Sequence, residues 1–130
     1  MIESAGLLII YDNKILLTHP TKSKSVGTYS IPKGKLEKGE THLDAAIRET
    51  MEEVGVDVDV SLIDKTPHVI KYIREDGKCY KQMTYFVVNL KEKIEIGELQ
   101  KEEVDFADYM TKEDSRLRLF WRFEEMLNYI

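Results

Sequence analysis

The sequence predicts a mixed β-sheet flanked by helices, an α/β or α+β sandwich, in one domain over residues 1–130. Three observations predict it. Strand-like apolar runs recur along the chain, one amphipathic helical pattern lies in the middle, and a second closes it. The 42% apolar and 33% charged fractions describe a chain that folds around a core, without linker or repeat.

Residues 5–11 form an apolar run, Asp12-Asn13 is a turn signal, and residues 14–18 resume the strand pattern, so the chain opens on a hairpin. Residues 20–28 read as a polar loop, 29–31 as a short strand, and Pro32-Lys33-Gly34 as a turn. A loop with Gly34 and Gly39 leads to Thr41, an N-cap with Asp44 three places on. Leu43, Ala46, Ile47, Thr50, Met51 and Val54 then recur at helical spacing, and Gly55 stops the helix. Residues 56–63, 67–73 and 80–90 read as strands, the last two joined through Glu75-Asp76-Gly77-Lys78. Residues 104–110 read as a final strand. Residues 111–130 read as a closing helix with Leu117, Phe120, Trp121, Met126 and Leu127 on its apolar face.

Composition narrows the function. The net charge of −5 disfavours a nonspecific nucleic-acid coat, which needs a basic field, but suits a phosphorylated small molecule bridged by a divalent ion. The single Cys79 cannot form an internal disulfide. No apolar run is long enough to span a membrane, and the N-terminus lacks a basic leader pattern, so a cytoplasmic protein is expected.

The chemistry concentrates in the middle helix. Glu49, Glu52 and Glu53 stand at i, i+3 and i+4, so three carboxylates share one face at a cost in repulsion. Arg48 reaches Glu52 at i+4 and offsets part of it. A hard cation such as Mg²⁺, which prefers oxygen ligands, would resolve the rest. Taken alone, such a helix is more often a solvated acidic face.

The surrounding spacing changes that balance. The segment reads Gly34-x5-Glu40-x7-Arg48-Glu49-Thr50-x-Glu52-Glu53-x-Gly55-Val56. It resembles the Nudix box, with every fixed glycine and polar position present. A chance match in a chain of this length is on the order of one in a million. Thr50 departs from a usually aliphatic position.

The resemblance implies a Nudix-type α/β/α sandwich with a mixed sheet, and divalent-metal-dependent hydrolysis of a diphosphate linkage in a nucleotide-like substrate. It implies that Glu49, Glu52 and Glu53 hold Mg²⁺, with Mn²⁺ as the alternative, Glu52 and Glu53 foremost and Glu49 either as a ligand or positioning the attacking water, and that a backbone carbonyl near Lys33-Gly34 completes the shell. It implies that Arg48 orients the carboxylates and Glu40 ties loop to helix, while Gly34 and Gly55 serve the backbone. Family members often add a late acidic residue, for which Glu102 and Glu103 are candidates, Glu103 foremost.

The entry from Tyr29 through Pro32-Lys33-Gly34 to Gly39-Glu40 resembles that of diadenosine tetraphosphate hydrolases, with Tyr29 where tryptophan is usual. Those enzymes also carry a tyrosine downstream of the box, where Tyr72 falls. The resemblance implies substrate contacts from Lys33, Lys35, Tyr29 and Tyr72, with Lys71, Arg74 and Lys81 extending them. A dinucleoside polyphosphate such as diadenosine tetraphosphate is the expected substrate. Nucleoside di- or triphosphates, nucleotide sugars and RNA 5′ ends are the alternatives, and a nucleotide-sensing module without catalysis is the non-enzymatic one. A small nucleotide partner is expected, with no membrane and no nucleic-acid coat, in a monomer or homodimer. His19, His42 and His68 are scattered and read as ordinary surface or strand residues.

Overall fold

A computed structural model describes all 130 residues. The long strand β1 (Ile2–Tyr11) is central, and residues 4–10 are buried. A strand covered on both faces needs an almost continuous apolar run, which is what residues 5–10 supply. Alternate side chains serve two cores. Ala5, Leu7 and Ile9 pack with Ala45, Ala46 and Val54 of the helix α1 (His42–Val54). Leu8 and Ile10 pack on the other face with Phe123, Met126 and Leu127 of the C-terminal segment. The result is a mixed sheet between two helical layers.

The sheet runs in the order β4-β5-β1-β2-β6, with β2 (Lys14–Pro20), β4 (His68–Ile73), β5 (Cys79–Leu90) and β6 (Val104–Met110). β5 runs parallel to β1 from Ile2↔Lys81 to Tyr11↔Leu90, and β4 and β6 pair antiparallel with β5 and β2. Asp12 and Asn13 both adopt positive φ, the conformation a tight two-residue hairpin demands. β2 pairs with β1 only at Ile10↔Ile15 and Tyr11↔Lys14, and the strands then part. Into that opening fits β3 (Lys33–Lys35), paired antiparallel with Ser4, Ala5 and Gly6.

Three local expectations are corrected. The strand expected at 29–31 and the turn at 32–34 change places: residues 29–30 make single bridges, while Lys33–Lys35 form β3, because the parted strands leave β1 backbone groups to be satisfied there. Residues 56–63 are not a strand. Asp59 accepts a hydrogen bond from the Ser61 N–H and turns the chain into a 3-10 turn at Val60–Leu62, so Val60 and Leu62 point outward while Val56, Val58 and Ile63 are buried.

The closing helix is interrupted. α2 (Lys112–Arg118) ends where Leu119 is extended, and Trp121–Tyr129 continues as 3-10 turns. The break follows from pairing with residue 29: the Tyr29 N–H donates to the Arg118 carbonyl and the Phe120 N–H to the Tyr29 carbonyl. The break rotates the expected apolar face. Leu117 and Trp121 are left 68% and 67% exposed, and Leu119 and Phe123 are buried instead.

Candidate active site

The acidic helix begins and ends where its sequence directs. Thr41 Oγ1 accepts from the Asp44 N–H at 3.1 Å, and Gly55 closes the helix with φ 65°. A Cβ on Gly55 would also lie 2.9 Å from the Gly97 Cα and the Glu98 nitrogen. That close approach docks the loop before β6. The Gly97 N–H donates to the Val54 carbonyl at 2.8 Å, and the Gln100 N–H to the Glu53 carbonyl at 2.9 Å. The loop carries Glu103 to the pocket lining, while Glu102 lines an adjoining surface hollow that shares Glu52 and Gln100 with it.

Arg48 is the hub of the acidic cluster. Its Nε and Nη2 donate to the two oxygens of Glu40 at 2.7 and 2.9 Å, a bidentate pair. Nη1 donates to Glu49 at 2.9 Å and Glu52 at 3.1 Å, and Nη2 also to the Lys35 carbonyl at 3.0 Å. Glu40 further accepts from the Glu37 N–H. With Arg48 first and that N–H second, its carboxyl is pushed down to about 2. Arg48 therefore ties the loop, the helix and β3 together.

Glu53 and Glu49 sit differently. Glu53 is 8% exposed, and its carboxylate accepts only the Lys33 N–H, at 3.2 Å. Burial pushes it up to about 8, against the pull of that N–H. Burial also raises Glu49, with Arg48 opposing. The Glu49 carboxyl rests directly on Gly34, where any side chain would displace it. No three acidic, histidine or cysteine side chains converge at chelating distance, and Arg48 holds both Glu49 and Glu52. The donor set nonetheless suits a hard divalent cation: Glu49, Glu52, Glu53 and Glu103 line one pocket beside Gly34.

The pocket encloses about 550 Å³. Glu49, Glu52, Glu53 and Glu103 line it together with Lys33, Lys35 and Lys81. None of these lysines is within ion-pair distance of a carboxylate. Burial holds the Lys33 ammonium below its ordinary range, with Glu53 and Glu49 pulling the other way. Carboxylates and unpaired ammoniums in one pocket suit a ligand that is itself anionic and that is accompanied by a cation.

Tyr72 is not among the pocket-lining residues and is buried, 7% exposed, among Phe120 and Phe123. Its ring lies under the Lys81 ammonium at 5.1 Å and the Arg122 guanidinium at 4.8 Å. Tyr29 packs on His19 and Phe106, next to the pocket-lining Ser30. Lys71 and Arg74 are not among the lining residues. His19 pairs with Asp105, His42 with Glu3, and His68 stacks on Tyr85. Sequence reasoning passed over Ser4, Thr18, Ser30 and Gln100, which line the pocket and carry no motif signal.

The NUDIX domain family model matches residues 2–128. The chain belongs to the Nudix family. Among Nudix relatives, an RNA pyrophosphohydrolase of Erythrobacter litoralis is 39% identical over 72 residues, which cover 54% of this chain and 44% of that protein. The chain thus spans less than half the length of that relative. Two solved structures share the Nudix fold. A C. elegans Ap4A hydrolase binary complex superposes with a TM-score of 0.74 at 23% identity, covering 98% of this chain and 93% of that one. A bifunctional NMN adenylyltransferase/ADP ribose pyrophosphatase from Francisella tularensis, complexed with AMP and a manganese ion, gives 0.77 at 15% identity, covering 98% and 41%. The sheet between two helical layers is therefore the Nudix architecture. No helix of the chain is long and apolar enough to cross a membrane.

Proposed function

We propose that this Nudix protein is a divalent-metal-dependent pyrophosphohydrolase that cleaves a phosphoanhydride bond in a nucleoside polyphosphate, with a dinucleoside polyphosphate as preferred substrate. One observation carries the reading: four carboxylates and three lysines without an ion-pair partner line a single pocket. A bare anionic substrate would be repelled by the carboxylates, and a bare cation by the lysines.

Glu49, Glu52 and Glu53, with Glu103 and the Gly34 carbonyl, are the residues that would hold Mg²⁺ or Mn²⁺. When bound, the ion supplies charge neutralisation of the phosphoryl oxygens and a more acidic water. The protein's own groups do the rest. Arg48 keeps Glu49 and Glu52 in place and Glu40 anchors Arg48 to the loop. Glu53, buried with its carboxyl on the Lys33 N–H, is held in place as one of those would-be ligands. Lys33 and Lys35 contact the phosphate chain. Tyr72 supports Lys81 through its ring, and Tyr29 backs Ser30. The cytoplasm, rich in magnesium and nucleotides, is the compartment this chemistry suits.

The test is a panel of dinucleoside polyphosphates, NTPs, nucleotide sugars and ADP-ribose with Mg²⁺, products identified by mass. Turnover abolished by EDTA and lowered at least about 10²-fold by Glu53→Gln supports the assignment. Near-normal turnover in Glu53→Gln rejects it, and an intact panel under all conditions leaves a nucleotide-binding module. A second reading, an RNA 5′-end pyrophosphohydrolase, is favoured by the named function of the Erythrobacter relative. Preference for free nucleotide over triphosphorylated RNA of the same 5′ base would dismiss it.

A further inference from the structure

One polar group in the pocket has no counterpart in the fold. Ser4 is 2% exposed, lines the pocket, and its Oγ is the one buried side-chain oxygen or nitrogen without a hydrogen-bond partner. A buried hydroxyl left unpaired is destabilising, so its presence calls for a partner from outside the chain.

The strand register shows what surrounds it. Ser4 is opposite Lys35 on β3 and Met83 on β5, so these side chains rise from one face of the sheet. Lys33 is opposite Gly6 and Lys81 opposite Ile2, each two places along on that same face. Gly6 offers no side chain, and a Cβ there would collide with the Pro32 carbonyl and lie 2.7 Å from the Lys33 Cβ. Three lysines thus border one unpaired hydroxyl. Burial holds the Lys81 ammonium below its ordinary range, and Lys33 and then Lys35 push it the same way. Gly34, between the two β3 lysines, is on the opposite face, against Glu49.

We propose that Ser4, with Lys33, Lys35 and Lys81, forms a phosphate subsite distinct from the carboxylate cluster, and that it holds a phosphoryl group other than the one attacked. The Ser4 O–H donates to a phosphoryl oxygen and the lysines neutralise its charge. This rests on the polyphosphate hydrolase reading and narrows it to substrates whose chain reaches beyond the two phosphates of the cleaved bond.

The probe is inorganic tripolyphosphate, titrated calorimetrically into the full chain in EDTA, so that no divalent cation and no turnover contribute. The wild type binds it. Ser4→Ala and Lys81→Gln each weaken binding about tenfold, the scale of one hydrogen bond to a charged group. The melting temperature of Ser4→Ala without ligand stays equal or rises, since an unpaired hydroxyl is removed. Equal affinity in Ser4→Ala, a melting temperature lowered by several degrees, or no binding by the wild type each overturns the proposal. Magnesium-dependent hydrolysis with Ser4→Ala binding unchanged removes the subsite and leaves the hydrolase. Ser4-dependent tripolyphosphate binding in a protein that hydrolyses no diphosphate removes the hydrolase and leaves the subsite.

Discussion

Glu53→Gln separates the stability of this protein from its chemistry. Burial raises the folded-state carboxyl from 4.5 to about 8. Between those values the folded state holds a proton that the unfolded chain has released. Stability is therefore fully present below about pH 4.5 and declines as pH rises toward 8, at about 1.4 kcal/mol per unit for one proton. Across the window the loss amounts to about 3–5 kcal/mol, a large share of a domain's total stability. Gln is neutral at every pH and keeps an oxygen for the Lys33 N–H. In EDTA, urea melts from pH 5 to 8.5 should show wild-type stability falling relative to Glu53→Gln, the variant being the more stable by several kcal/mol at pH 8.5. Adding Mg²⁺ at that pH should stabilise the wild type and not the variant. Parallel stability curves for the two proteins would refute the reasoning, because Glu53 would then ionise as freely in the fold as in water.

Arg48→Ala strips the one cation from Glu37, Glu40, Glu49 and Glu52, and a loss of about 2–4 kcal/mol is expected in urea melts, partly recovered with Mg²⁺. Glu40, pushed down to about 2, contributes stability that is present above pH 4.5 and lost as pH falls toward 2, so an acid titration followed by circular dichroism should show less loss in that window for Glu40→Gln. Gly55→Ala meets both a positive φ and the backbone of Gly97 and Glu98, and should cost about 2 kcal/mol or more while lowering turnover through the displaced Glu103 loop. Thr50 is fully buried with Oγ1 donating to the Ala46 carbonyl, an inward bond that favours bending, so Thr50→Val should change stability by no more than about 1 kcal/mol in either direction by thermal melt.

The elements legible in the chain were those whose signal is local. The period of residues 5–10 marks a twice-buried strand, Asp12-Asn13 its turn, and the Thr41 cap and Gly55 stop bound the acidic helix. The segments that moved were those whose fate depends on a distant backbone. Residues 33–35 became a strand because β1 and β2 part, and the helix after Thr111 broke because residue 29 takes up the backbone groups of Arg118 and Phe120. A Pro-Lys-Gly run and an amphipathic stretch carry no record of those partners.

The chain alone specifies the acidic cluster, because Glu49, Glu52 and Glu53 are brought to one face by helical pitch. It determined Arg48 and Glu40 as members of the same motif, but not that one guanidinium clasps both loop and helix. Only the tertiary structure placed Glu103 rather than Glu102 in the pocket lining, set Lys81 beside Lys33 and Lys35, and left Ser4 buried among them without a partner. Ser4 and Lys81 lie far from Lys33 and Lys35 along the chain and meet them through strand pairing, while Glu103 is brought in by a loop docked on α1, and no short-range pattern encodes either contact.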